Sequence, residues 1–140
     1  MADILHHLEI AAAPAEVYEA LVTQSGLRGW WTTDATAEPR AGTVAEFGFY
    51  RRAVVFRMRI AELEPDRRVA WECLGDLEEW TGTRLVWDVT PHDKGATLRF
   101  THGGWRSTAG SFAHSNTTWG GLMHRLRDYA EGKAPGPYFT

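Results

Sequence analysis

The six histidines are the side chains best suited to acid–base or metal chemistry in this 140-residue chain. Their spacing contains none of the His-x-His, His-x-x-x-His or His-Glu-x-x-His patterns that place two ligands on one metal, so we expect no metal and no other cofactor. His102 alternates with Leu98 and Phe100, and His6 alternates with Ile4, so both rings are predicted to face the interior. There an imidazole can orient a ligand or act as a general acid or base, or it can be a core side chain bonded to the backbone.

Nucleophile and phosphate motifs are missing from the sequence. It contains neither a Gly-x-Ser-x-Gly elbow nor a Gly-x-x-x-x-Gly-Lys loop. Cys73 has inward strand parity, and a buried thiol usually behaves as a small hydrophobic group. Ser115 and Asn116 lie near Trp119 at helical spacing, and they are the polar candidates to accompany His102. The sequence therefore carries no catalytic signature, and the catalytic residues stay unassigned.

The strands that would position these groups follow from the hydrophobic period. Residues 4–10 alternate between apolar and polar, which predicts a first strand. From about residue 43 to 103 the period is again two, with turn residues between the runs. Apolar residues occupy one face of these runs and charged residues the other, which is typical of an antiparallel sheet with one face in water.

The helices occupy the two segments where the period is not two. Pro14 begins a short helical pair that ends near Trp31, because proline suits the first turn of a helix. From near Thr108 to Glu131 the apolar residues follow helical spacing, which predicts a long helix lying on the sheet. We expect a bend at Gly120 and Gly121, since glycine is a poor helix former.

Charge and hydropathy disfavour several kinds of partner. Lys and Arg number 15 against 18 Asp and Glu, with no concentrated basic block, so nucleic acid is not an expected partner. No apolar run approaches the length of a membrane span, and no basic residue precedes Arg28 as a signal peptide would require. A single cysteine excludes an intramolecular disulfide. We expect one cytoplasmic domain over residues 1–140.

Five sequence segments, taken in order, resemble a known family. They are Ile10–Leu21, Trp30-Trp31, Glu79–Thr83, Phe100–Trp105 and Trp119–Lys133. Together they resemble the START-like (SRPBCC) superfamily and, within it, the branch named after the activator of heat-shock-protein-90 ATPase. The resemblance implies an α+β helix-grip fold, in which a curved six- to seven-stranded antiparallel sheet wraps around a long C-terminal helix. Two short helices follow the first strand in such folds.

Such folds can leave a cavity between the sheet and the C-terminal helix. The inward-facing residues are then its candidate lining, although any protein of this layout needs a similar number of apolar side chains to fill its core. Trp80, in an acidic turn, is expected to cover one end of the sheet. The candidate ligand-binding residues are Trp30, Trp31, Phe47, Phe49, Phe56, Met58, Trp71, Trp87, Phe100, His102, Trp105, Phe112, Ser115, Asn116, Trp119 and Met123.

Three functions follow from this cavity and from the resemblance. The first is a cytoplasmic protein that binds a hydrophobic or aromatic small molecule, such as a lipid, between sheet and helix. The second is a cyclase- or hydrolase-type enzyme that uses His102 with Ser115 or Asn116 in the same cavity. The third is a cochaperone-like module that contacts a heat-shock ATPase, as the family name implies. A homodimer is compatible with each of them.

Overall fold

A curved seven-stranded antiparallel sheet and one long C-terminal helix organise the chain, whose computed structural model describes residues 1–140. The helix-grip prediction is therefore confirmed, with two short helices between the first and second strands. The elements are β1 (Ala2–Ile10), α1 (Pro14–Val22), α2 (Gln24–Trp30), β2 (Asp34–Thr36), β3 (Val44–Phe49), β4 (Val54–Glu64), β5 (Arg68–Cys73), β6 (Arg84–His92), β7 (Gly95–Trp105) and α3 (Phe112–Ala130).

The strands are ordered β1-β7-β6-β5-β4-β3-β2, and every neighbouring pair is antiparallel. The predicted parity is confirmed where β6 meets β7, because Trp87 pairs with Phe100 and Leu85 pairs with His102, and all four side chains are buried. The short strand β2 had no sequence signal. It joins the sheet beside β3, and together β2 and β1 form its two edges.

The helices begin and end for local reasons. Pro14 occupies the first turn of α1, and Thr23 caps α2 by accepting a hydrogen bond from the Gly26 amide at 3.0 Å. Helix α3 begins at Phe112, four residues later than predicted, and it runs unbroken through Gly121. A Cβ at Gly121 would lie 3.0 Å from the Tyr138 ring, so glycine there leaves room for the C-terminal tail. None of the three helices is both long and apolar enough to cross a membrane.

Tryptophan rings fill most of the space between the sheet and α3. Trp31 stacks on Trp71 with ring centroids 6.2 Å apart, and Trp119 contacts Phe100 at 4.6 Å. Trp87 lies 4.3 Å from Phe100 and completes the group on the sheet side. These rings are at most 2% exposed, so this part of the interface is packed core rather than cavity.

The ten residues after α3 fold back along the molecule. The Tyr138 amide donates to the carbonyl of Trp30 at 3.1 Å, and the Phe139 amide donates to that of Trp31 at 2.8 Å. Arg125 on α3 donates to the carbonyls of residues 135, 136 and 137 and holds the tail. This path, which no sequence pattern indicated, brings the Phe139 ring within 4.9 Å of Phe49.

Candidate ligand-binding site

A half-open pocket of about 180 Å³ remains between the sheet and the first turns of α3. Its walls come from β3, β4, the β5–β6 turn, α3 and the C-terminal tail. Ten of its fourteen lining residues are hydrophobic, which is the usual character of a small-molecule site. They are Trp31, Phe49, Tyr50, Val54, Phe56, Leu77, Trp80, Ser111, His114, Ser115, Thr118, Trp119, Leu122 and Phe139.

One wall of the pocket is a continuous aromatic surface. Phe56 lies 4.5 Å from Trp80 and 5.4 Å from Phe49, and Phe49 meets Phe139 edge to face. Trp80 stacks on Trp119 at 6.0 Å. Trp80, which was expected to cover one end of the sheet, contributes to this wall. Such rings present a large, rigid apolar area to a bound molecule.

The opposite wall is a polar stripe along α3. Ser111 precedes the helix, and His114, Ser115 and Thr118 follow at spacings of three, four and seven, so all four lie on one helix face. The Ser111 hydroxyl is buried without a hydrogen-bond partner, as is the indole N–H of Trp80. Three more buried groups without a partner, His6 Nε2 and the indole N–H groups of Trp87 and Trp105, lie outside the pocket, so the polar stripe rather than these unpaired atoms characterises the site.

The rim of the pocket exposes apolar side chains to solvent. Tyr50 is 67% exposed, Val54 39% and Leu77 36%, and these three are among the few large hydrophobic residues left in water. Val54 has the inward parity of Met58, yet α3 does not cover it. Exposed apolar residues gathered around a concavity are characteristic of a binding site.

The β3–β4 turn at this rim is strained. Tyr50, Arg51 and Arg52 have φ values of 52°, 58° and 66°, which is the left-handed region that disfavours residues with a Cβ. Arg52 is held by ion pairs to Asp34 at 2.7 Å and to Glu46 at 2.9 Å. These ion pairs help to keep the Tyr50 ring beside the mouth of the pocket. Backbone strain of this kind often accompanies binding sites.

His102 lies in the core, at the centre of a buried hydrogen-bond chain. The Trp119 indole N–H donates to His102 Nδ1 at 3.1 Å. Nε2 therefore carries the ring proton and faces the Thr83 hydroxyl at 2.8 Å. That hydroxyl in turn donates to the Trp80 carbonyl at 2.6 Å. Both ring nitrogens are thus satisfied, and the chain ties α3 to β7 and to the β5–β6 turn.

Burial determines the protonation states of two titratable groups in the core, His102 and Cys73. It lowers the pKa of His102 to about 3 and raises the pKa of the Cys73 thiol to about 12. Both groups are therefore neutral near pH 7, His102 as the free imidazole and Cys73 as the thiol. In this state His102 is a poor proton donor, and Cys73 is a poor nucleophile.

Of the candidate ligand-binding residues, the structure brings five to the pocket: Trp31, Phe49, Phe56, Ser115 and Trp119. Phe112 meets Trp105 edge to face at the start of α3, and Asn116 is exposed on the outer face of the helix. The structure therefore does not bring His102 and Asn116 to the site. The other candidates are buried in the core outside the pocket, namely Trp30, Phe47, Met58, Trp71, Trp87, Phe100, His102, Trp105 and Met123.

Sequence reasoning missed several lining residues. Ser111, His114 and Thr118 could have been found, because they share a helix face with Ser115. Phe139 gave no signal, since its place depends on the return of the tail. The remaining lining residues, which had no predicted site role, are Tyr50, Val54, Leu77 and Leu122.

The fold and the pocket together define a START-like helix-grip domain of the α+β class. The chain belongs to the activator of Hsp90 ATPase homolog 1-like protein family, whose model matches residues 11–131. This match confirms the resemblance seen in the sequence. A search of curated proteins finds no significant match.

Solved structures with the same fold include one at 31% identity, the Aha1 dimer from Colwellia psychrerythraea, with a TM-score of 0.88 over 95% of this chain and 98% of that one. Protein MLL2253 from Mesorhizobium loti is 15% identical, with a TM-score of 0.81 over 91% of this chain and 95% of its own. CalU16 from Micromonospora echinospora is 16% identical, with a TM-score of 0.75 over 96% of this chain and 77% of its own. The last two are similar in fold alone.

Proposed function

We propose that this protein binds a small molecule with an aromatic or apolar body in the pocket beside α3. The observation that carries the proposal is the pairing of a solvent-accessible aromatic wall with a polar helix face across one concavity. A fully packed core would not expose Tyr50, Val54 and Leu77 around an opening. Membership of the family supports a ligand-binding role without naming the ligand.

The size of the pocket limits the ligand. A volume of about 180 Å³ is close to the roughly 150 Å³ cavity that holds one benzene molecule, and it is below the range of about 300–1,000 Å³ common for drug-sized sites. The enclosed part of the ligand is therefore one ring or a short alkyl chain. A larger ligand would extend through the mouth, along Tyr50 and Leu77.

The polar stripe gives the ligand an orientation. The hydroxyls of Ser111, Ser115 and Thr118 can each donate or accept a hydrogen bond, and His114 adds a ring nitrogen at the exposed end. We expect a ligand with a hydroxyl, carbonyl or carboxylate group at one end, facing α3. The aromatic wall takes up the remainder of the molecule.

A ligand titration tests this function. Phenol, indole and hexanoate would be added to the full chain while tryptophan fluorescence and thermal unfolding are measured, because Trp80 and Trp119 line the pocket. A ligand at a hundred times its dissociation constant stabilises the native state by about 2.7 kcal/mol. We expect at least one compound to give a saturable fluorescence change together with a higher melting temperature.

A matched pair of variants on α3 tests whether the ligand response arises from binding in the pocket. Ser115→Leu replaces the hydroxyl in the pocket with an isopropyl group, a net gain of two heavy atoms, and should abolish the ligand response while the fold survives. Thr117→Leu makes a similar change on the exposed face of α3 and should leave the response intact. Equal responses in both variants, or no saturable response from any compound in the wild type, would contradict the proposal.

Two other roles remain proposals. A cyclase- or hydrolase-type activity would use His114 and Ser115, which line the pocket, in place of the buried His102. Contact with a heat-shock ATPase would follow from the family name. A homodimer is proposed as the assembly because the Colwellia relative is described as a dimer, and a cytoplasmic location stays a prediction from composition.

A further inference from the structure

We propose that two copies of this chain join edge to edge through β1, antiparallel, with Leu5 opposite the partner's Leu5 at the twofold axis. Two seven-stranded sheets would then become one continuous sheet. The inference rests on the edge, the exposed side chains and the charge order of β1. It does not depend on what the pocket binds.

Strand β1 is an unprotected edge. It pairs with β7 alone, and it is nine residues long without a proline or lysine. Along such a strand, alternate backbone amides and carbonyls face outward and are open to pairing with another strand. The other edge of the sheet, β2, has three residues, and its Asp34 is engaged by Arg52. Only β1 offers enough length for strand addition.

The bulge near the start of the β1–β7 pair does not interrupt β1. The register shifts between Ala2 and Ile4, where two residues of β7, Gly103 and Gly104, face one residue of β1. Gly104 has a φ of 89°, so the extra residue belongs to β7. The outer side of β1 therefore stays regular.

The exposed side chains of β1 are ordered so that the strand complements itself. They are the odd-numbered residues Asp3, Leu5, His7 and Glu9, with Leu5 68% exposed. A twofold axis at Leu5 places Asp3 opposite the partner's His7. Leu5 then covers its own counterpart. Arg99, directly beside His7 on β7, adds positive charge where the partner's Asp3 arrives.

Neighbouring registers lose this match. Moving the axis to His6 places Asp3 opposite the partner's Glu9, which brings like charges together, and pairs Leu5 with an imidazole. Moving it to Ile4 pairs Leu5 with the partner's Asp3, which places a carboxylate against an apolar group. Opposite charges and matched apolar pairs across strands stabilise a sheet, and like charges destabilise it. The charge order of β1 thus selects one partner, a second copy, and one register.

A pair of charge insertions tests the surface. Leu5→Glu places two carboxylates face to face at the axis, and Val44→Glu makes the same change at another exposed strand residue, 47% exposed on β3. Sedimentation velocity over a concentration series should show a wild-type dimer, and Leu5→Glu should raise its dissociation constant at least about tenfold. Val44→Glu should leave it unchanged. Thermal unfolding would verify that both variants fold.

A cross-link tests the register. Cβ atoms of directly opposed residues lie about 4.5–5.5 Å apart, close to disulfide range, so Leu5→Cys should form a covalent dimer under mild oxidation. Cys73 is buried, so the wild type should not cross-link. The control variant Val44→Cys should not cross-link either. A wild type that stays monomeric at millimolar concentration overturns the proposal. A dimer that survives Leu5→Glu, or that cross-links through Val44→Cys instead, also overturns it.

Discussion

The two halves of the sheet–helix interface are built on the same sheet face but packed differently. At one half, Trp87 and Phe100 contact the Trp119 ring of α3, and the rings are closed off from water. At the other half, the inward-facing aromatic residues of β3 and β4 meet small hydroxyl residues of α3, and a pocket remains. Helix α3 thus presents small hydroxyl side chains to the open half and the buried Trp119 ring to the closed half.

The polar groups of the two halves differ in where they lie. In the closed half, both ring nitrogens of His102 have hydrogen-bond partners, although the buried indole N–H of Trp87 has none. In the open half, His114, Ser115 and Thr118 line the pocket along one face of α3. A buried hydrogen-bond chain stabilises a core, whereas polar side chains that line a pocket can contact a ligand.

The largest expected difference between the halves comes from deleting one ring in each. Trp87→Ala should lower the free energy of unfolding by about 3–5 kcal/mol, because it leaves a cavity among the four aromatic rings that contact Trp87 in the closed half. Phe56→Ala, at a half-buried pocket position, should cost about 1–2 kcal/mol. Urea unfolding measures both values. Equal costs would mean that the pocket is packed as tightly as the core.

A smaller expected effect is a loss of stability at acidic pH, which comes from the closed half alone. Because the His102 pKa falls to about 3 on folding, the unfolded chain takes up a proton that the native state refuses between about pH 6.5 and 3. The stability linked to this histidine is complete above pH 6.5 and is lost as the pH falls. From pH 7 to 4.5 we expect a loss of roughly 2 kcal/mol.

His102→Gln isolates this contribution. Glutamine can still accept from Trp119 and donate to Thr83, but it does not titrate. The wild type should lose roughly 2 kcal/mol more unfolding free energy than the variant between pH 7 and 4.5. Urea unfolding at each pH measures this difference. A stability gap between the two that is independent of pH would show that His102 titrates normally in the native state.

The smallest expected effect lies at the rim of the open half. Arg51 is exposed, makes no ion pair and has a φ of 58°, so Arg51→Gly should relieve strain and raise the unfolding free energy by about 0.5 kcal/mol. Arg67→Gly, in an exposed turn at ordinary φ, should lower it by a similar amount. Thermal unfolding compares the two. If both variants lose stability, the rim carries no strain.

Local patterns predicted the sheet face but not its coverage. The parity of β4 placed Val54, Phe56 and Met58 on one face, and this is correct. Met58 is buried, whereas Phe56 is half-buried and Val54 exposed, because both border the pocket. The alternation of apolar and polar residues predicts which side of a strand is apolar. It does not predict which element packs against that side.

The sequence by itself determined the order of the helices and of every strand except β2, the inward faces, the family and the amphipathic last helix. These depend on neighbours within a few residues, where period and turn chemistry act. Only the tertiary structure shows that both ring nitrogens of His102 are hydrogen-bonded, to Thr83 and to Trp119. It also shows that the tail folds back so that Phe139 forms part of a pocket wall. Those contacts join residues that are far apart in the chain. Whether an inward side chain fills a core or borders a pocket depends on the volume of its distant neighbours.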